Sequence, residues 1–182
     1  MIVLMAGSPG TGKTTLARAL ARHINGRVIS KDEFRHAVFS PDEVEYSTWQ
    51  DDFCLHLMLQ TAEYLLARDA NLIVFLDGRT FSRRYQIENV IAAATRMHQA
   101  WRILECICSD ETIRRRLAAD AEDRTHPAGN RDPQLYLEVK ARFEAITRPK
   151  LVIDTEQGLE LSIRRALQGL NLADTGILEG NP

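Results

Sequence analysis

The chain has 182 residues, 45% of them hydrophobic and 26% charged, with a net charge of −2. That length suits one domain with a substantial core, and the composition excludes disorder, collagen and coiled coil as whole-chain readings. The faintly acidic balance argues against a broad duplex-DNA footprint, no apolar run reaches membrane-spanning length, and an odd set of three cysteines does not make a disulfide framework.

The opening segment MIVLMAGSPG lacks the basic region and the long apolar run of a secretory signal, which points to the cytoplasm. The apolar run Ile2–Ala6 predicts a buried strand. A helix follows over Thr14–Ile24, with Leu16, Ala17, Leu20 and Ile24 at helical spacing. Arg27–Ser30 predicts a second strand and Asp32–Val38 a short helix, broken by Ser40-Pro41-Asp42. Trp49–Arg68 predicts a long helix with Phe53, Leu57, Thr61, Tyr64 and Leu65 along its inner face. Leu72–Leu76 predicts a strand buried on both faces. Arg83–Met97 predicts a helix with Ile87, Val90, Ile91 and Ala94 inward. Trp101–Cys108 predicts a strand, Asp110–Ala119 a helix, His126–Pro133 a loop and Pro133–Phe143 another helix. Leu151–Ile153 and Leu159–Leu170 close the series, so the expected domain spans residues 1–170, with a polar tail over 171–182 that frays. Strands alternating with helices imply an α/β fold with a parallel sheet and helices on both faces. Ligands of such sheets bind beyond the carboxyl ends of the strands, which singles out the loops over 7–14, 31–35, 77–84, 109–131 and 154–158.

One loop carries a specific signal. Gly7-Ser8-Pro9-Gly10-Thr11-Gly12-Lys13-Thr14 fits G-x-x-x-x-G-K-[ST] in full, between an apolar strand and an amphipathic helix. Glycines let the backbone wrap phosphate oxygens with its amides, and the helix N-terminus adds its positive end. The expected phosphate cradle is residues 7–14 with Thr15. Lys13 is expected at the β- and γ-phosphates and the Thr14 hydroxyl on Mg²⁺. The pattern implies a nucleoside triphosphate without saying what is done with it.

Three further features follow. Ser30-Lys31-Asp32-Glu33-Phe34-Arg35 comes after the second strand, and Asp77 ends the third. Arg79, Arg83 and Arg84 then form a local positive patch with no intervening acid. Such a patch suits an acceptor bearing phosphate, sulfate or carboxylate. With the phosphate loop, the first two features resemble the P-loop kinases grouped with polynucleotide 5′-hydroxyl kinases. Zeta-type toxins, chloramphenicol phosphotransferase and adenylylsulfate kinase are similar relatives. The resemblance spans residues 1–155. It implies a three-layer P-loop NTPase fold with a parallel five-stranded sheet and a small arginine-bearing lid over 114–133.

The resemblance also implies roles. Asp32 would accept the proton of the attacking hydroxyl, although Asp at a helix start also serves as an N-cap. Arg35, one turn on, would grip an acceptor phosphate. Asp77 would hold Mg²⁺ or, in some kinases of this group, the acceptor. Lid arginines would stabilise the transferring phosphoryl group. Arg116 and Arg124 are the preferred pair, and Arg131 is a further substrate-facing candidate. Asp154-Thr155 matches the usual place of an adenine-contacting loop. The histidines at 23, 36, 56 and 98 are expected on helices without ligand spacing and read as structural, whereas His126 lies in the expected lid.

The leading expectation is therefore an ATP- and Mg²⁺-dependent kinase acting on a hydroxyl of a small anionic molecule: a nucleotide, nucleotide sugar, adenylylsulfate or antibiotic. The competing readings are a polynucleotide 5′-hydroxyl kinase and, from a different class, a regulatory NTPase or nucleotide-binding module. The slightly acidic balance tilts the choice towards a small molecule, and no membrane partner is expected.

Overall fold

The computed structural model describes residues 1–123 and 133–172. Five strands form one parallel sheet: β1 (Ile2–Ala6), β2 (Gly26–Ser30), β3 (Ile73–Asp77), β4 (Trp101–Ile107) and β5 (Leu151–Asp154). Their order across the sheet is β2-β3-β1-β4-β5. The helices are α1 (Lys13–His23), α2 (Lys31–Val38), α3 (Thr48–Arg68), α4 (Arg84–Arg96), α5 (Asp110–Asp123), α6 (Pro133–Ala141) and α7 (Leu159–Gly169).

Period-2 alternation along β1 builds the three layers. Ile2, Leu4 and Ala6 point to one face, where Met58 and Ala62 of α3 and Val90 and Ala94 of α4 pack on them. Val3 and Met5 point to the other, against Leu16 and Leu20 of α1 and Ile163 and Leu167 of α7. With every residue of β1 and β3 buried, only uninterrupted apolar runs satisfy these positions. A small third cluster joins Ile113 and Leu117 of α5 to Tyr136 of α6. Among the described residues no helix is long and apolar enough to cross a membrane.

Two expectations change. The inner face of α3 is Cys54, Met58, Ala62 and Leu66, whereas Phe53 and Tyr64 are exposed. Both stripes have helical period, and contact with β1 selects the one whose small members let the helix approach. Phe53 instead stacks on Trp49, with ring centroids 6.3 Å apart, and meets Phe39 at 5.9 Å. His98 leaves the helix: α4 ends at Arg96 and His98 turns at φ +54°. The polar tail beyond residue 172 and the loop over 124–132, including His126, lie outside the described residues.

Candidate active site

The phosphate loop leaves the central strand β1 and curls back under its own lysine. Lys13 Nζ donates to the Gly7 and Ser8 carbonyls, both at 2.8 Å. Thr11 Oγ1 also donates to Ser8, at 2.8 Å. Gly7 has φ +127°, and a Cβ there would lie 2.3 Å from the Cys106 carbonyl oxygen, so only glycine fits. The Gly7 amide donates to the Thr80 carbonyl at 3.1 Å, tying this loop to the exit of β3. α1 starts at Lys13 with no acid in its first turn and no side-chain cap, so its amide groups stay open to an anion. Pro9, Gly10 and Gly12 lie in the same loop, and Thr15 sits in the first turn of α1.

On the β3 side of the loop, Thr14 Oγ1 donates to Asp77 Oδ2 at 2.7 Å. Asp77 is 1% exposed, and its Oδ1 is buried with no hydrogen-bond partner. A hydroxyl beside an under-coordinated carboxylate is an oxygen donor set that suits Mg²⁺.

On the β4–β5 side, a cavity of about 690 Å³ opens over Gly12–Thr15, walled by Arg116, Thr155 and Leu159. That volume is in the range of a small-ligand pocket. Arg116 Nη1 donates to Thr155 Oγ1 at 3.0 Å and to the Gly10 carbonyl at 3.3 Å, while Nη2 donates to the Thr155 carbonyl at 3.1 Å. In this structure Arg116 is thus a wall of the cavity on the flank of the sheet opposite Asp77 and Asp32. Its expected partner Arg124, and Arg131, lie outside the described residues.

On the β2–β3 side, α2 presents Asp32 to a buried charge cluster. Arg35 Nη1 donates to Asp32 Oδ1 at 3.1 Å, and Lys31 Nζ lies 3.5 Å from the same oxygen. Arg35 also binds Asp51 through Nη2 and Gln50 Oε1 through Nε at 3.2 Å. Its guanidinium lies 4.9 Å from the centroid of the Tyr46 ring. Lys31 Nζ donates to Asp51 at 2.7 Å. Asp32 and Arg35 are 6% and 1% exposed, so neither is an ordinary solvated helix charge. The Asp32 side chain makes no helix-capping bond; Ser30 occupies the cap position, also without a side-chain bond.

The three-arginine patch divides. Arg79 is buried beside Asp52 and Tyr85. Arg83 Nη1 instead reaches Glu144 at 3.2 Å on the surface, and the same carboxylate accepts from the Arg84 amide at 2.7 Å. These two bonds, the amide's first, hold the Glu144 carboxyl below its ordinary range.

Sequence reasoning passed over Lys31, Gln50, Asp51, Asp52 and Tyr85. Acids near a helix start read as dipole decoration, and only folding α3 against α2 and the exit of β3 aims Asp51 at Arg35 and Asp52 at Arg79. The available signal was the Gln50-Asp51-Asp52 run, three consecutive polar residues near the start of a helix whose later polar residues are interspersed with apolar ones.

Comparison with solved structures gives the same fold throughout. The APS kinase CysC of Mycobacterium tuberculosis, in complex with AMPPNP and APS, is 17% identical over 93% of this chain and 96% of that one, with TM-score 0.69. Kti12 of Chaetomium thermophilum, in complex with ADP-AlF3, is 17% identical over 97% and 100%, with TM-score 0.66. A gluconokinase from Sinorhizobium meliloti 1021 is 18% identical over 93% and 90%, with TM-score 0.59. At these identities the likeness shows the fold alone: a three-layer P-loop NTPase fold with a parallel five-stranded sheet. No curated protein matches the chain by sequence. The AAA domain family model matches residues 2–146, from the first strand past the phosphate loop and the buried charge cluster, and the chain belongs to that family.

Proposed function

We propose that the protein is an ATP-dependent kinase that transfers the γ-phosphoryl group to a hydroxyl of a small-molecule acceptor. The observation that carries this reading is Asp32. It is a buried carboxylate at the carboxyl end of β2, on the same edge of the sheet as the phosphate loop, and cations hold it in place from two sides.

The strand order divides the labour. The base and ribose enter the cavity lined by Arg116 and Thr155, and the triphosphate follows the loop and the start of α1. Lys13 gives up its two loop carbonyls for β- and γ-phosphate oxygens. Thr14 and Asp77 would hold Mg²⁺, which would neutralise charge on the β- and γ-oxygens when bound. Asp32 takes the proton of the acceptor hydroxyl as the phosphoryl group arrives. Arg35, anchored by Gln50 and Asp51, fixes the Asp32 carboxylate. Two solved relatives of this fold are kinases by name, for APS and for gluconate.

The test is ADP release with ATP and Mg²⁺, alone and with a panel of nucleotides, sugars, antibiotics and 5′-hydroxyl oligonucleotides. The kinase reading expects release that depends on a small-molecule acceptor. An Asp32→Asn variant should lose about 10²–10⁴ in kcat with its KM for ATP little changed. Brisk release without any acceptor would favour a hydrolytic switch instead. Release only with oligonucleotides would favour the polynucleotide alternative.

A further inference from the structure

Among the described residues, the buried side-chain nitrogens without a hydrogen-bond partner are Nε and Nη1 of Arg79. The residue is 3% exposed. Only Nη2 is engaged, at 2.5 Å from Asp52 Oδ1 and 3.5 Å from the Tyr85 hydroxyl oxygen. Arginine does not shed its charge in a protein. A buried guanidinium with two idle nitrogens therefore calls for an explanation.

Its position supplies one. Arg79 lies two residues beyond Asp77, in a segment pinned on three counts. Gly78 turns at φ +85°, its Cα hydrogen facing the backbone nitrogens of Lys31 and Asp32. The Thr80 carbonyl accepts from the Gly7 amide of the phosphate loop. Phe81 is fully buried with φ +52°, a conformation that costs a bulky residue energy and persists only where the surroundings impose it. The guanidinium is thus held between the end of β3 and the first turn of α3, the turn whose Asp51 anchors Arg35. Its cover is light. The Asp52 side chain is 36% exposed and Tyr85 is 42% exposed, the Tyr85 hydroxyl donating to Asp52 Oδ2 at 3.1 Å.

We propose that Arg79 receives an oxyanion of the acceptor, a phosphate, sulfate or carboxylate group, and that Asp52 is an internal carboxylate that occupies the guanidinium until the acceptor displaces it. The name acceptor rests on the kinase reading; the anion site does not. Oxyanions and carboxylates compete for the same guanidinium donors. A displaced Asp52 turns to solvent, where it is already one-third exposed. Arg83 takes no part, because Glu144 holds it on the surface.

The test titrates inorganic sulfate into the full chain at constant ionic strength, with and without AMPPNP and Mg²⁺. It follows arginine Nε–H signals by nitrogen–proton NMR, with Arg79 assigned from the signal missing in Arg79→Lys. The Arg79 signal should shift saturably. By calorimetry, Arg79→Lys should bind sulfate at least about tenfold more weakly, the loss of one charge-assisted hydrogen bond. Asp52→Ala should bind it several-fold more tightly, because the competitor is gone. A merely structural ion pair predicts weakening in both variants. An unmoved Arg79 signal, or weaker binding by Asp52→Ala, overturns the proposal. Asp52→Asn repeats the arm should the alanine variant lose its fold, and the wild-type titration decides without either. Absence of any heat from AMPPNP with Mg²⁺ would sink the kinase reading and leave the sulfate result, read at Arg79 itself, standing.

Discussion

Arg35 shows how far a single residue's meaning depends on its surroundings. By sequence it is a helix arginine three positions after an acid. In the fold it is among the most buried large side chains, shared by Asp32, Asp51 and Gln50. Its carboxylate and amide partners offset the cost of taking that charge out of water. Gly78 plays the complementary part by what it lacks. A Cβ there would sit 3.0 Å from the Lys31 amide nitrogen, on a backbone at φ +85°. Gly78→Ala should therefore destabilise by about 1–3 kcal/mol and depress transfer, since the displaced backbone carries Asp32. Thermal unfolding and ADP release together check it. Cys106 makes a third case. Burial pushes its thiol up to about 12, against the relief offered by Lys13. Well below pH ~8.5 the thiol is protonated in folded and unfolded chains alike. Above that, the unfolded chain ionises while the folded one keeps its proton, so stability falls as pH rises towards 12. Native protein at pH 8 should leave Cys106 unlabelled by iodoacetamide, and urea should expose it; mapping the alkylated peptides reads both states.

At the scale of elements, α3 is where periodicity misled. The expected stripe through Phe53, Leu57 and Tyr64 and the observed one through Cys54, Met58 and Ala62 are both regular. Aromatic bulk made the first look like core, although large aromatics on a rim are common. The difference is measurable. Met58→Ala should cost about 2–5 kcal/mol by opening a cavity against β1. Tyr64→Ser, at 62% exposure, should stay within about 0.5 kcal/mol. Urea denaturation of the two variants decides. The start of α4 teaches a similar lesson about charge. Arg83 and Arg84 follow Arg79 closely in sequence, yet Glu144 pairs with the Arg83 guanidinium and accepts from the Arg84 backbone amide, leaving Arg79 alone in the interior.

The whole molecule is organised by strand order. Placing β1 third of five puts the phosphate loop at the middle of the sheet's carboxyl edge. Arg116 and Thr155 then fall on one flank, and Asp77, Asp32 and Arg79 on the other. Nucleotide binding should stabilise the molecule as a unit. At about a hundredfold excess over Kd, ATP with Mg²⁺ adds ~2.7 kcal/mol, or about 5–11 °C in Tm for a chain of this size. Asp77→Asn should remove the magnesium-dependent part of that shift and keep the rest, as differential scanning calorimetry would show.

The strands, most helices, the strand-loop-helix form of the glycine loop, and the placement of Asp32 and Asp77 at strand ends were legible in the sequence because each rests on local order: a run of apolar residues, a helical period, a glycine spacing, a carboxylate where a strand stops. Those signals survive in one dimension, since the backbone conformations they demand span only a few residues. Which stripe of α3 faces inward, which of three arginines is buried, and that Asp51 and Asp52 hold Arg35 and Arg79 were decided only by the tertiary structure. Those facts depend on pairs 16 to 27 residues apart meeting where α3 packs on α2 and on the exit of β3, and the direction of a side chain in space is set by its neighbours' volume rather than by its neighbours in the chain.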